Sequence, residues 1–395
     1  MWVLCTRTVI DLYTIILGMR KFFEKHNSKE VTMNRKAINT AEPLKAYFKE
    51  LPTYCEPYGN GHINDTFLVV SQKRYILQRM NTSIFTRPVE LMENILGVTE
   101  HIRKKTAAIG GDVARCSLTV VPTLDGARYF CDSTGGYWRL YDFVEGTVTK
   151  ESVEDANDFY TCAKAFGGFQ EMLADYPAET LSEPIANFHN TPWRYDNLMR
   201  AVAADKCGRL SSVLPEVEFA KEREEFCKVL ENARAAGELP LRVTHNDTKL
   251  NNILFDEKSA APVCVIDLDT VMPGYSVTDF GDSIRFGANT AVEDETDLSK
   301  VTLDLDLFKV YVKGFIEGCN GSLTEKEIEL LPEGAMMMTL ECGLRFLTDH
   351  LEGDTYFKIH REGHNLDRAR NQFALVADME RKLDQMRAII QEIVG

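Results

Sequence analysis

The sequence lacks several patterns that mark whole classes of protein. Its 395 residues include ten cysteines but no Cys-x-x-Cys pair, and none of its eight histidines stands at a zinc-ligand spacing from a cysteine or another histidine. No internal repeat or low-complexity segment occurs. These absences argue against a zinc module, a disulfide scaffold and a repeat protein. We expect the cysteines to be free thiols in a reducing cytosol.

Positive charge and long apolar runs are also scarce. Lysine and arginine number 45 against 60 acidic residues, and the net charge of −15 argues against nucleic acid or an anionic membrane as partner. The apolar run at residues 9–17 is interrupted by Asp11 and falls short of the roughly 20 residues that span a bilayer. No small-residue cleavage site follows it, so a secretory signal is not expected. The sequence therefore predicts a cytoplasmic protein, and it leaves the oligomeric state open.

The length exceeds the size at which a single core keeps growing, so two lobes are predicted. Residues 1–40 are expected to be a poorly ordered extension, 41–144 a small β-rich lobe, and 145–395 a larger, mainly helical lobe. Strand and helix patterns are predicted at 44–51 (helix), 54–58, 66–71, 74–80, 89–105 (helix), 117–123, 138–143 and 371–394 (helix). The hinge between the lobes is predicted at 142–145, where Phe143 would offer its backbone to an adenine ring. The expected fold class is α+β.

The most informative segment is residues 242–252, which an apolar stretch with acidic residues at its end follows after a short gap. Asp247 is placed to orient and deprotonate a hydroxyl group, and Lys249 can reach a phosphate during transfer. Asn252 and Asp267 carry the hard oxygen atoms that Mg²⁺ prefers. This order of base, cation and two metal ligands is typical of a kinase catalytic loop. We therefore predict phosphoryl transfer, with Asp247 and Lys249 as catalytic residues and Asn252 and Asp267 as metal ligands.

Other polar residues of this region are open to more than one interpretation. His245 is expected to brace the loop through its ring nitrogens. Asp269 could bind the substrate, complete the metal shell or simply end a strand; a substrate or metal contact is favoured. A literal Asp-Phe-Gly begins at Asp279, but its spacing from the loop is too long for the metal aspartate. We interpret Asp279 and Asp282 as bracing residues, with Arg285 as a partner.

The phosphate-binding side is less clearly marked. Gly59 and Gly61 form a turn whose backbone amides could approach phosphates, although a plain hairpin explains it equally well. On the third strand a lysine is expected to contact the phosphates, but Gln78 stands there. Glu90 and Glu93 are equal candidates for the helix partner of such a cation. An amide brings no charge, so more of the neutralisation would fall on magnesium and the catalytic-loop lysine.

Taken together, these segments resemble the aminoglycoside phosphotransferase and choline kinase branch of the protein-kinase-like fold, and more narrowly the N-acetylhexosamine 1-kinases. The matching stretches are 56–64, 75–78, 80–85, 241–254, 266–269, 279–287, 341–346 and 351–357. The resemblance implies ATP and Mg²⁺ as cofactors and transfer of the γ-phosphate to the C1 hydroxyl of N-acetylglucosamine or N-acetylgalactosamine. By their positions in the predicted small lobe and hinge, Gly59, Gly61, Gln78 and Phe143 are the candidate nucleotide contacts. The residues that would face the sugar are His62, Asp269, Arg345 and Tyr356.

Two alternatives remain at the level of sequence. A related kinase could act on an amino alcohol, a thiosugar or an aminoglycoside; acidic residues lining the acceptor pocket would favour it, because choline and aminoglycosides are cations. A non-catalytic nucleotide-binding module is suggested only by the missing lysine. A protein kinase is not expected, since no Ala-Pro-Glu signature or long activation segment follows Asp267.

Overall fold

A six-stranded antiparallel sheet occupies the first part of the computed structural model, which describes residues 38–59, 63–150, 153 and 155–395. The expected extension at 1–40 therefore lies almost entirely outside the described residues, as do Gly61 and His62. After helix α1 (Ala41–Tyr47), the elements of this region are β1 (Tyr54–Pro57), β2 (Asp65–Val70), β3 (Arg74–Arg79), α2 (Pro88–Ala108), β4 (Val120–Val121), β5 (Phe130–Cys131) and β6 (Tyr137–Asp142). The sheet order is β1-β2-β3-β6-β4, with β5 pairing β6.

The sheet and helix α2 share a hydrophobic core. Val120 and Tyr141 of the sheet are buried in the same cluster as Leu91 and Ile95 of the helix. Pro88 starts α2, where its missing amide hydrogen costs nothing. The predicted strand at 117–123 shrinks to two residues, and it ends before Pro122, which has no amide hydrogen for the ladder.

The rest of the chain is mainly helical, as predicted, with two small sheets between the helices. Its elements are β7 (Thr147–Val148), α3 (Ala156–Met172), α4 (Thr191–Ala204), α5 (Leu214–Lys221), α6 (Val229–Ala235), β8 (Arg242–Thr244), β9 (Ile253–Asp256), β10 (Pro262–Val265), β11 (Met272–Gly274), α7 (Ser276–Gly287), α8 (Leu305–Cys319), α9 (Glu325–Glu329), α10 (Leu331–Glu352) and α11 (His364–Val394). β7, β9 and β10 form one sheet and β8 and β11 another. No helix in the described part of the chain is long and apolar enough to cross a membrane.

Close helix packing organises this second core. A Cβ atom added at Gly167 of α3 would lie 2.4 Å from the carbonyl oxygen of Phe315 on α8, so only glycine permits this approach. The last helix begins at His364 instead of residue 371, because polar residues of its first turns pair inside the protein and do not show apolar periodicity. Most of its predicted apolar stripe is buried, but Val394 is exposed. The cysteines at 116, 131, 162, 207, 227, 264, 319 and 342 are free thiols, as expected.

Candidate active site

The catalytic loop follows β8 and is held from beneath by helix α7. The carboxylate of Asp279 accepts hydrogen bonds from the backbone amides of His245 (2.8 Å) and Asn246 (2.7 Å). Asn246 has a positive φ of 64°, a conformation that asparagine tolerates better than most residues. Nδ1 of His245 accepts a hydrogen bond of 3.3 Å from the backbone amide of Asp247, and its Nε2 donates one of 2.9 Å to the carbonyl of Ile266. Asp279 and His245 are therefore bracing residues, as the spacing predicted.

Asp247 lies at the centre of a small hydrogen-bonded group. Its Oδ1 is 2.5 Å from Nζ of Lys249, and its Oδ2 accepts a hydrogen bond of 3.0 Å from Nδ2 of Asn252. The same amide nitrogen also donates to the backbone carbonyl of Asp247. The carboxylate is partly exposed, with 29% of its side chain accessible. A hydroxyl group arriving from solvent can thus reach a carboxylate whose orientation is already fixed.

Asp267 is brought beside this group by the hairpin of β9 and β10. The amide of Ile266 donates to the carbonyl of Asn252 at 2.9 Å, which places the two predicted metal ligands on neighbouring stretches of backbone. The strand ends earlier than expected, and Asp267 adopts a left-handed conformation with φ 58° and ψ 56°. Its side chain reaches solvent although protein surrounds it on most sides. Burial, together with the charges of Asp269 and Asp247, raises the pKa of Asp267 to about 6.

This donor set fits a magnesium ion that also binds nucleotide phosphates. The amide nitrogen of Asn252 is committed to Asp247, so its oxygen is the atom that a cation would meet. Mutual repulsion of Asp267 with two other carboxylates is relieved by a divalent cation. The described residues contain no group of three or more His, Cys, Asp or Glu arranged to hold a metal. Mg²⁺ typically takes only one or two protein carboxylates and fills its remaining positions with water and phosphate oxygens.

Asp269, two residues later, lies in a buried ion pair. Its Oδ1 is 2.5 Å from Nη1 of Arg139 on β6, and both side chains are at most 3% exposed. Its Oδ2 accepts a hydrogen bond of 2.6 Å from Nδ2 of Asn64. Both carboxylate oxygens therefore have protein partners, and the substrate contact predicted for Asp269 stays a prediction.

Helix α7 also carries the second predicted bracing pair. Arg285 lies 3.0 Å from Asp282, as expected from the sequence, and also 3.0 Å from Glu293. Asp282 is buried, but Arg285 and Lys249 outweigh the burial and lower the pKa of its carboxyl. The charges of Asp282 and Arg285 also act on Lys249, the predicted catalytic lysine.

On the nucleotide side, the structure describes Gly59, Gln78 and Phe143. Gly59 has a φ of 76°, which favours glycine, and lies two residues after β1, at the start of the predicted phosphate turn. Gln78 donates to Thr66 and accepts from Nε of Arg139. The Phe143 amide donates to the carbonyl of Arg74, whose guanidinium stacks 4.1 Å from the centre of the Phe143 ring. The nucleotide roles of these residues remain predictions.

Helix α2 carries Glu90 and Glu93, the two candidates to pair with a phosphate-binding cation. Glu90 pairs with Arg87 on the first turn of α2, at 2.9 Å. No ion pair of Glu93 occurs in the described residues. The helix is instead fixed by Asn94, which donates to the carbonyls of Ser182 and Val271 and accepts from the Ser182 amide.

Two of the predicted sugar residues come together away from the sheet. The guanidinium of Arg345 on α10 lies 5.9 Å from the centre of the Tyr356 ring, and rings of Phe188 and Phe357 lie at 5.5 Å and 5.4 Å. Tyr356 is 66% exposed. Arg345 is half-buried; its Nε is covered by protein, but no hydrogen bond or ion pair of its guanidinium occurs in the described residues. This cation therefore retains hydrogen-bonding capacity beside an exposed aromatic ring.

Glu341 and His189 connect this region to the catalytic loop. Glu341 lies one turn before Arg345 and contacts Nδ1 of His189 at 2.8 Å, while Nε2 of His189 is 3.5 Å from the carbonyl of Asn246. Burial disfavours ionisation of Glu341, but His189, Arg345 and Arg194 outweigh it and lower the pKa of this carboxyl. Glu341 is thus a buried carboxylate that His189 contacts directly and that the charges of Arg345 and Arg194 keep ionised.

Several of these residues were not found from the sequence: Asn64, Arg139, His189, Arg194 and Glu341. Arg139 and Glu341 carried a usable signal, since each is a charged residue between large apolar neighbours in a strand or helix that the pattern buries. The other three lie in polar or loop segments that give no such signal. Their importance arises from long-range contacts.

Comparison with known proteins agrees with this arrangement. Residues 55–299 match the model of the phosphotransferase enzyme family (APH). Among solved structures, the fold is similar to that of an aminoglycoside phosphotransferase from Alicyclobacillus acidocaldarius (TM-score 0.61, 13% identity, 92% of this chain and 100% of that chain). It is also similar to a microcompartment-associated aminopropanol kinase (0.55, 17%, 88% and 97%) and to choline kinase from Cryptosporidium parvum (0.52, 13%, 90% and 96%).

These neighbours confirm the protein-kinase-like fold that the sequence predicted. At such low identity they carry information about the fold alone. The family match spans the sheet, the catalytic loop and the Asp267 turn. The chain therefore belongs to the phosphotransferase enzyme family.

Proposed function

We propose that this protein is an ATP- and magnesium-dependent kinase that phosphorylates N-acetylglucosamine or N-acetylgalactosamine at the C1 hydroxyl, giving the sugar 1-phosphate and ADP. Asp247 accepts the hydroxyl proton as the oxygen attacks the γ-phosphorus. Lys249 offers positive charge to the transferred group, and Asn252 and Asp267 supply oxygen ligands to the magnesium ion. Magnesium, when bound, neutralises phosphate charge.

The observation that carries the choice of acceptor is the state of the charges around Arg345. The carboxylates one turn before and one turn after it on α10 are Glu341 and Asp349. Glu341 is bound by His189 and by Thr191. Asp349 accepts hydrogen bonds from three consecutive backbone amides, beginning at residue 355, and from a buried asparagine. Neither is free to receive a cationic substrate.

The guanidinium of Arg345, by contrast, keeps unused donors. Arg345 is half-buried and makes no hydrogen bond or ion pair in the described residues. Arg194 nearby donates to the carbonyl of Phe188. Burial and the neighbouring charge of Arg345 lower the pKa of Arg194, so the two guanidinium groups are electrostatically coupled. Two neighbouring cations repel an ammonium substrate, and the free N–H groups of Arg345 favour hydroxyl and carbonyl oxygens. An N-acetylated sugar presents those atoms and no charge.

A competing acceptor class is an amino alcohol or an aminoglycoside, and the named structural neighbours include kinases of both kinds. The charge distribution around Arg345 argues against that class. A direct test is a screen of N-acetylhexosamines, plain hexoses, choline, aminopropanol and an aminoglycoside with ATP and Mg²⁺. Phosphorus NMR then locates the new phosphate.

The expected product carries an anomeric phosphate and forms with N-acetylhexosamines at a kcat/KM at least tenfold above that for the amines. Asp247→Asn, prepared in parallel, reveals any contaminating kinase. Preferential phosphorylation of an amine-bearing acceptor would overturn the sugar assignment while leaving the family intact.

A further inference from the structure

The positive charge missing from the third strand is present one strand away. Kinases of this general type use a lysine on that strand, whereas this chain has Gln78. In the sheet register, Thr66, Gln78 and Arg139 stand opposite one another on β2, β3 and β6. Residues directly opposite in a sheet direct their side chains to the same face. The positive charge therefore lies on the neighbouring strand β6, directly opposite Gln78 in the same row of side chains.

The row is joined by side-chain hydrogen bonds. Gln78 donates from Nε2 to the hydroxyl of Thr66 at 3.1 Å and accepts from Nε of Arg139 at 3.0 Å. The glutamine amide thus fixes the plane of the guanidinium, which a lysine at the same position could not do. Arg139 is 2% exposed and reaches Asp269 through Nη1. These contacts end at Asp269, which lies in the turn that follows Asp267.

Asn64 ties the same carboxylate to the sheet a second time. It donates to Asp269 at 2.6 Å, and its own Oδ1 accepts from the backbone amide of Asn81 at 3.0 Å. Asp269 is therefore held at both oxygens by residues of the sheet region. These contacts cross more than 100 positions of sequence and connect the nucleotide-side lobe with the catalytic side.

The turn needs such support. Asp267 occupies a left-handed conformation that is unfavourable for a non-glycine residue, and its carboxylate lies among like charges. The turn Leu268–Thr270 follows immediately and contains Asp269. Fixing Asp269 therefore fixes the direction in which Asp267 presents its oxygens.

The pair is better explained by orientation than by stability. A buried ion pair is often no more stabilising than apolar residues of similar volume, because desolvation offsets the attraction. A direct contact of Arg139 with phosphate is also disfavoured, since its guanidinium is almost fully covered and already bonded on two sides.

We infer that the Arg139–Asp269 pair, oriented by Gln78, is a positioning device that sets the geometry of the Asp267 metal ligand and thereby the affinity for magnesium–nucleotide. Arg139 acts through Asp269 and is a positioning residue. The inference rests on the proposed use of magnesium and ATP, but not on the identity of the acceptor.

The test compares Arg139→Gln and Arg139→Lys with the unmodified protein. Binding of ADP is measured by calorimetry with and without Mg²⁺, and melting temperature is recorded for each variant. We expect Arg139→Gln to weaken Mg²⁺-dependent ADP binding by about 10–100-fold, the usual effect of removing a residue that orients a metal ligand. Metal-free ADP binding should change less than twofold, and Arg139→Lys should lose several-fold, because it keeps the charge but not the planar contact with Gln78.

Arg103→Gln is the matched control, since Arg103 belongs to the same lobe but bonds to Thr119. It should leave Mg²⁺-dependent binding unchanged, whatever it does to stability. If Arg139→Gln fails to fold, Arg139→Lys decides the question. Wild-type Mg²⁺ dependence in the folded Arg139 variants would overturn the inference. Failure of the unmodified protein to bind Mg²⁺–ADP would instead overturn the proposed function.

Discussion

The region around Asp247 and the region around Arg345 differ in how many of their hydrogen-bonding groups have partners within the protein. Around Asp247, the carboxylate contacts Lys249 and the side-chain amide of Asn252, which are both within five residues of it in sequence. Both carboxylate oxygens therefore have partners. Around Arg345, side chains from remote segments converge, but its guanidinium has no hydrogen-bond partner in the described residues. A phosphate-transfer site must be rigid before substrate arrives, whereas an acceptor site must leave bonds for the acceptor to make. Under the proposed function, the first region would carry the chemistry and the second the selectivity for the acceptor.

The largest expected effect is at the chemical region. Asp247→Asn removes the proton acceptor but keeps the shape and the hydrogen bond from Asn252. Turnover should fall ~10²–10⁴-fold, while ADP binding and melting temperature stay near wild type. Steady-state kinetics with calorimetry measure both quantities. Asp196→Asn, an exposed substitution on α4, is the control; activity above a tenth of wild type in Asp247→Asn would remove the base assignment.

A second substitution tests whether Asp279 braces the loop or takes part in the chemistry. Asp279→Asn replaces one of the two oxygens that accept buried backbone amides, so one amide loses its acceptor. The free energy of unfolding should fall by about 1–3 kcal/mol, as measured by urea denaturation. Unchanged stability combined with lost Mg²⁺ dependence would make Asp279 a metal ligand and would contradict its bracing role.

The smallest effect on turnover is expected in the selective region. Arg345→Ala should raise the acceptor KM roughly 10–100-fold, because charge-assisted hydrogen bonds are lost, with little change in the KM for ATP. Arg345→Lys should recover part of the loss, since it restores charge but not the planar donors. Arg200→Ala, on the exposed side of α4, serves as control. Equal increases in both KM values would identify Arg345 as structural and would weaken the contrast between the regions.

Sequence patterns predicted the sheet strands, helix α2 and the bracing roles of His245 and Asp279 well, because each depends on short-range alternation or spacing. They were less accurate where one residue interrupts a pattern, as Pro122 does in β4. They also missed the early turns of α11, whose polar residues are buried in pairs.

The order of Asp247, Lys249, Asn252 and Asp267 along the chain was enough to predict a phosphotransferase, because loop chemistry is encoded at fixed short offsets. The environment of Asp269 was not encoded in that way. Its partners Arg139 and Asn64 lie 130 and 205 positions away, and only the folded sheet brings them to the Asp267 turn. The free donors near Arg345 likewise follow from three segments meeting in space, which no local pattern can specify.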